Sequence, residues 1–346
     1  MYAFLQKFLF SMDAERAHYA GLKSLQLAHR LGWNYFAPKA PSMPCRLMGL
    51  DLPNPVGLAA GLDKNGEYIQ ALAGLGFGFI EVGTVTPKPQ DGNPQPRLFR
   101  VPLHQAVVNR MGFNNAGIDA LLHHVKKANY SGVLGINIGK NATTPIENAV
   151  DDYLICLEKA FQVASYITIN ISSPNTQNLR NLQQKDELTQ LLGTLKKRQL
   201  ELADQHQRYV PIAVKIAPDL DEKQIQSIAK IVRHVEMDGV IATNTTIDKA
   251  VLGDHPLSQE NGGLSGKPLK EPANRVLRIL SRHLNPAGSK PIDIIGVGGI
   301  FSGQDAAEKI QLGATAVQMY TGLVYQGPKL IHEAISKIKE INFQAT

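Results

Sequence analysis

Amides, hydroxyls and lysines stand at the ends of short apolar runs along this chain, where a fold that gathers those ends would put them in one place. Asp63 and Lys64 follow one run. Thr84, Asn137, Asn170 with Ser173 and Asn175, Lys215, Thr243 with Asn244 and Thr245, the glycines at 298 and 299, and Tyr320 with Thr321 follow others. Asn109, Asn170, Asn175 and Asn244 each carry both a donor and an acceptor, the inventory needed to hold a flat ring of alternating carbonyl and N–H groups. A sugar phosphate would call instead for carboxylates and a proton-shuttling acid. Lys215 suits two chemistries: a Schiff base with a carbonyl substrate, or a fixed positive charge that offsets an anionic flavin.

The string IGVGGI after the seventh run, with Tyr320 and Thr321 after the eighth, suits a phosphate. Glycines allow close backbone approach, and a helix expected from Ser302 would aim its N–H groups and positive end at the anion. GVGG alone carries little; at this place in the chain it indicates a phosphorylated ligand or cofactor. Metal chemistry lacks a basis, because the ten histidines and two cysteines, Cys45 and Cys156, show neither HExxH nor Cys/His ligand spacing. His123 and His124 are adjacent on an expected helix and read as surface residues. Ser173 lies in NISSPNT rather than a GxSxG elbow, which disfavours a Ser-His-Asp hydrolase.

The elements that must position these residues are legible downstream of Pro55. Eight short runs begin at Pro55, Phe79, Gly132, Tyr166, Pro211, Gly239, Asp293 and Ala316. Longer segments with helical periodicity alternate with them, as at 147–163 and 221–235, which is the pattern of βαβ units and a parallel sheet. Eight such units predict a closed (β/α)8 TIM barrel, in which active residues come from the C-terminal ends of the strands. Two connections are too long for a simple helix, 86–131 and 246–290, and are expected on the catalytic face.

A barrel of this kind occupies roughly 250 residues, so the 346 of this chain leave room for an addition. The beginning supplies one. Phe4, Leu5, Phe8 and Leu9 recur at helical spacing, and so do Ala17, Ala20, Leu27 and Leu31 after Asp13 as N-cap, with Lys7, Arg16, Lys23 and Arg30 among them. This N-terminal amphipathic helical extension either caps the barrel or lies in a membrane interface, its apolar face in lipid and its cations at anionic headgroups. No apolar run approaches the ~20 residues that span a bilayer. The net charge of +6 suits an anionic small molecule, an acidic membrane or nucleic acid, but no basic block with interleaved aromatics favours nucleic acid. Two cysteines outside any CxxC pattern fit a reducing setting and leave no ligands for an iron–sulfur cluster.

The strings AAGLDKNGE, EVGTVTPKPQDGNPQPRLFR, NRMGFNN, GINIGKN, NISSPNT, VKIAPD, ATNTT, GGLSGKPL, GVGGI and VQMYTGLVYQGP, in this order behind MDAERAH, closely resemble the class 2 dihydroorotate dehydrogenases, over essentially the whole chain. The resemblance implies oxidation of dihydroorotate to orotate in pyrimidine biosynthesis, with one FMN per chain and a membrane quinone, ubiquinone or menaquinone, as electron acceptor. It implies Ser173 as the base at substrate C5, supported by Thr176 and Phe113. Pro174 biases Ser173 toward an extended backbone. It implies that Lys64, Asn109, Arg110, Met111, Gly112, Phe113, Asn170, Asn175, Asn244 and Thr245 surround the substrate. Ala60, Gly61, Leu62, Asp63, Lys64, Thr84, Asn137, Asn170, Lys215, Thr243, Gly266, Gly299, Tyr320 and Thr321 would contact FMN, and His18, Arg100 and Tyr320 would lie on the quinone path. The division implied is an extension of residues 1–40 that gives the quinone access, and a catalytic barrel of residues 41–346. The implied location is peripheral, on the cytoplasmic face of a bacterial inner membrane, with a lipid surface as partner and neither nucleic acid nor an obligate protein partner. Three other readings stay open: an FMN barrel acting on a different pyrimidine or nucleotide, a Schiff-base aldolase using Lys215, and a non-catalytic barrel that binds nucleic acid.

Overall fold

The expected runs form strands, in the expected order. In the computed structural model, which describes residues 2–32 and 40–344, β1 (Cys45–Leu47) and β2 (Leu50–Leu52) make a hairpin ahead of the barrel. The barrel strands are β3 (Val56–Leu58), β4 (Phe79–Val85), β7 (Val133–Ile138), β8 (Tyr166–Asn170), β9 (Ile212–Ile216), β10 (Gly239–Ala242), β12 (Asp293–Val297) and β13 (Ala316–Met319). They close in sequence order, every neighbour parallel, with β13 pairing back onto β3.

Alternate residues face the barrel axis, as the period of two in a strand requires. The lowest interior layer is apolar, with Phe79, Tyr166, Ala213, Ile241, Ile295 and Ala316 packed on Leu47 and Leu52, so the hairpin plugs the bottom. Outward residues such as Ile80, Val82, Ile136, Ile169 and Val214 join the helices in one continuous core. Each fully buried aliphatic side chain of this kind contributes about 1.5–3 kcal/mol.

The helices follow from local signals. In α7 (Glu222–His234), Ile225, Ile228, Ala229 and Val232 are buried at spacings of three and four, which makes one apolar stripe. Asp221 accepts from Gln224 N at 2.8 Å while the Gln224 side chain returns a bond to Asp221 N, a capping box worth about 1 kcal/mol.

The two long connections do more than loop. β5 (Leu98–Val101) and β6 (Ala106–Asn109) from the first pair antiparallel with β11 (Gly263–Gly266) from the second, forming a small sheet above the barrel mouth. The extension is α1 (Tyr2–Phe10) and α2 (Ala14–Arg30), with Asp13 capping α2 through Glu15 N and Arg16 N. Each of its helices is tied to the rest of the chain. Tyr2 OH donates to Val324 O at 2.6 Å, and Gln6 Nε2 to Tyr325 O at 2.8 Å. A buried ion pair joins Glu15 to Arg97 at 2.7 Å. The placement of the Phe4 side chain lies outside the described residues, but Leu5, Phe8, Leu27 and Leu31 are exposed on these helices, Leu31 by 76%.

Candidate active site

The strand ends converge on one cavity at the mouth. Its walls include residues 59–65, Thr84, Asn109, 111–114, Asn170, 173–175, Lys215, 243–245, Gly266, 297–300 and 318–322. The amides there are already oriented. Asn170 Nδ2 donates to Thr84 Oγ1 at 2.9 Å and Asn137 Oδ1 at 3.1 Å, while its oxygen accepts from Ser172 Oγ at 3.2 Å and Asn244 Nδ2 at 3.4 Å. Asn175 Nδ2 donates to Asn109 Oδ1 at 3.0 Å, and Asn175 Oδ1 is buried without a partner among the described residues. Unpaired buried acceptors are costly, so this oxygen is suited to a ligand N–H.

Ser173 is 5% exposed and lines the same cavity. Its Oγ accepts from Asn175 N at 3.2 Å. Thr176 Oγ1, buried close by in sequence, has no partner among the described residues. Phe113 holds a left-handed backbone (φ 55°), an uncommon conformation for an aromatic residue.

Two lysines face the cavity. Lys215 is 6% exposed and makes no hydrogen bond among the described residues; burial lowers its pKa and the nearby Glu81 carboxylate opposes that. Lys64 donates to Asn114 Oδ1. Removal from water pushes its ammonium down to about 7, Arg97 adding to the effect and Glu15 opposing it.

Beneath the mouth lies a polar layer that the strand pattern did not disclose. Glu81, fully buried, accepts from Asn137 Nδ2 at 2.8 Å, Tyr166 OH at 2.9 Å, Thr168 Oγ1 at 3.1 Å and Gln318 Nε2 at 2.9 Å. Asn137 therefore sits under the cavity wall, not in it. Gln318 reaches the cavity, and its Oε1 is another buried acceptor without a partner among the described residues. Ser265, which also lines the cavity, bonds Thr321 Oγ1 at 2.8 Å. Glu81, Gln318 and Ser265 were missed in the sequence, although a Glu in the middle of an apolar strand is a signal of a polar interior.

At three of the expected positions the side chains are also engaged by neighbouring loops. Arg110 turns away from the cavity, its Nη2 on Pro96 O at 2.7 Å and its Nε 3.1 Å from Glu260. The Asp63 carboxylate turns back on its own loop, accepting from Glu67 N at 2.9 Å and Tyr68 N at 2.7 Å, and burial pushes it up to about 6. The helix after IGVGGI, α9 (Gly303–Gln311), has part of its N-terminus capped by its own side chains. Ser302 Oγ accepts from Asp305 N at 3.2 Å and the Asp305 carboxylate accepts from Phe301 N at 3.0 Å. The cavity is lined instead by Gly298 to Ile300 and by Tyr320, Thr321 and Gly322, where α10 (Thr321–Gln326) begins without a side-chain cap. Gly299 has φ 71°, and a Cβ there would lie 2.4 Å from Lys270 Cα.

A second cavity of about 570 Å³ lies between the extension and the barrel, lined by Leu9, Phe10, Ala17, Gly21, Leu25, Leu72, Arg100, Val324 and other mostly apolar residues. His18, Leu22, Leu62, Leu98, Val107 and Tyr320 line both cavities, so the two abut. Burial, with Lys64 adding, pushes His18 down to about 4. Arg100 secures the turn after α1, donating to Leu9 O at 2.9 Å and to Met12 O, over the Phe10 ring.

A closed parallel barrel with a polar, lysine-bearing mouth and an apolar annex defines the architecture of a (β/α)8-barrel enzyme. The family model described as "Dihydroorotate dehydrogenase" matches residues 42–341. The chain belongs to the dihydroorotate dehydrogenase family, in its quinone-dependent class. A "Dihydroorotate dehydrogenase (quinone)" of Neisseria meningitidis is 63% identical over 98% of this chain and 100% of its own length. One of the same name from Chromobacterium violaceum is 60% identical over 96% of each chain. The crystal structure of DHODH from Eimeria tenella in complex with ferulenol superposes with a TM-score of 0.85 at 35% identity, covering 94% of this chain and 92% of that one.

Proposed function

We propose that this protein oxidises dihydroorotate to orotate at the barrel mouth, with FMN as its prosthetic group and Ser173 as general base, and that the electrons leave to a quinone in the apolar annex. The observation that carries the reading is the abutment of two unlike cavities through His18, Leu62 and Tyr320. One is polar and fits an anionic heterocycle; the other is apolar and fits a lipid-soluble ring.

The residues fit FMN. Gly298 to Ile300 and Tyr320 to Gly322 make the phosphate cradle, Lys215 supplies a cation without a hydrogen-bonded partner, and the unpaired Gln318 Oε1 adds an acceptor. When bound, the flavin supplies the two-electron acceptor for a hydride from substrate C6. Ser173 takes the proton from C5. Asn109, Asn170, Asn175 and Asn244 orient the ring, and Lys64 meets the carboxylate. Arg110 braces the loops outside the cavity, and the Asp63 carboxylate braces the loop that carries the lining residues Asp63 and Lys64.

The extension gives access and a membrane foothold. Its exposed Leu5, Phe8, Leu27 and Leu31 stand beside exposed Lys7, Arg16, Lys23 and Arg30, the combination that holds a helix in a lipid interface. Among the described residues no helix is long and apolar enough to cross a membrane. Residues 1–40 thus serve the quinone and residues 41–346 the chemistry, on the cytoplasmic face of a bacterial inner membrane.

The test is spectroscopic. The purified protein should be yellow, should bleach on anaerobic addition of dihydroorotate and should regain colour with a short-chain quinone. Absence of bleaching would sink the reading. In Gly21→Phe, whose new side chain enters the annex from a position with room for a Cβ, bleaching should persist while recovery slows. Gly299→Ala tests the cradle. A Cβ against Lys270 backbone at positive φ costs about 1–3 kcal/mol, and about 1.4 kcal/mol is tenfold in affinity. Reconstitution of the stripped protein followed by flavin fluorescence should therefore show FMN binding weakened about tenfold or more. Unchanged affinity would remove Gly299 from the cradle.

A further inference from the structure

Arg180 does not line either cavity, yet its guanidinium joins three loops of the mouth. It lies in the turn Leu179–Gln183 after β8. Nε donates to Ser172 O at 3.0 Å, the carbonyl of the peptide that leads into Ser173. Nη2 donates to Thr245 O at 2.9 Å, one residue past Asn244. Nη1 meets Asp219 Oδ2 at 2.7 Å, and Asp219, in the loop after β9, also accepts from Ile247 N at 3.2 Å and from Thr246 Oγ1. The two side chains are 21% and 18% exposed.

β8, β9 and β10 are neighbours in the barrel, so one planar cation ties three successive strand ends together. The loop after β8 carries the hydroxyl, and the loop after β10 carries the amide opposite. A guanidinium presents its donors in a rigid fork, which an ammonium cannot copy.

We propose that Arg180 is a positioning residue for proton abstraction: it holds the Ser173 loop and the Asn244–Thr245 loop at a fixed separation across the substrate ring, with Asp219 setting its orientation. This rests on the reading of Ser173 as the base. The geometric consequence is specific, because Arg180 touches nothing on the side of the annex. Its loss should disturb the half-reaction that consumes dihydroorotate and leave the quinone half-reaction alone. A displacement of about 1 Å at a reacting group can cost on the order of 10²-fold in rate.

The experiment compares Arg180→Met, Arg180→Lys and Asp219→Asn with the parent holoenzyme in four measurements: bleaching rate with dihydroorotate, recovery of dithionite-reduced protein with a short-chain quinone, orotate affinity, and thermal unfolding. In Arg180→Met, bleaching should slow about 10- to 100-fold and orotate bind more weakly, with recovery within about twofold of the parent. Arg180→Lys should restore part of the rate. Asp219→Asn, which keeps the volume, should show a smaller loss with the same split. Bleaching at the parent rate in Arg180→Met, or an equal fall in both half-reactions, overturns the proposal. Failure of the base reading shows elsewhere, as normal bleaching in Ser173→Ala, and would leave the effect of Arg180 on orotate affinity intact.

Discussion

Ser173→Ala is expected to keep its FMN and lose flavin reduction by about 10²- to 10⁴-fold, the range over which a positioned base acts. The Ser173 hydroxyl belongs to a buried residue in the wall of the cavity that Pro174, Asn170 and Asn175 also line. The Asn175 N–H points at Ser173 Oγ, which stabilises negative charge on that oxygen as the proton is shared. Serine alone is a poor base, and Thr176 Oγ1, three positions after Ser173 and without a hydrogen-bond partner among the described residues, offers an acceptor for onward proton transfer. Removing Oγ takes away the base without enlarging the flavin site, so FMN content and the quinone half-reaction should match the parent. Stopped-flow bleaching under anaerobic conditions reads the difference. A rate within about threefold of the parent would assign the proton to another group, since even weak base catalysis exceeds that factor.

The barrel was legible because its strands are buried on both faces and read as unbroken apolar runs, each closed by glycine, proline or a polar residue. The mouth was legible for a related reason: polar side chains collect where the runs stop. Other features depend on contacts that local pattern does not carry. Val107 and Ser265 are 158 positions apart, and nothing near either one announces that β6 and β11 will pair. Glu81, Thr168 and Gln318 sit in mid-strand, where they pass for interruptions until closure brings them to one axis. The α9 terminus was open to a better reading. Ser302 followed three residues later by Asp305 is a self-capping pattern, which takes up the N–H groups of Asp305 and Phe301. The motif NRMGFNN does not announce the contacts of the Arg110 side chain, which just past β6 bonds Pro96 O and meets the Glu260 carboxylate.

Lys64 sets the second large effect, and its direction depends on pH. In the ligand-free protein burial and Arg97 push its ammonium down to about 7, so the cation is present below that pH and is lost as pH rises through it. A bound carboxylate favours the charged form and raises the pKa again. Binding above about pH 7 must then take up a proton, and affinity should fall about tenfold per pH unit there, while below pH 7 it should be flat. Orotate is the probe to use, because its binding is free of the proton-abstraction step at Ser173. Lys64→Met should weaken orotate by roughly 10² or more at pH 6, since truncating one partner of a buried charge pair costs about 2–5 kcal/mol, and the pH dependence above 7 should vanish with it. The two variants would then coincide near pH 9, where the parent has already lost its cation. Calorimetric titration across pH 6 to 9 reads both features. A parent affinity independent of pH, or a Lys64→Met curve that keeps the same slope, would mean that another group holds the carboxylate, and Lys215 would be the next to test.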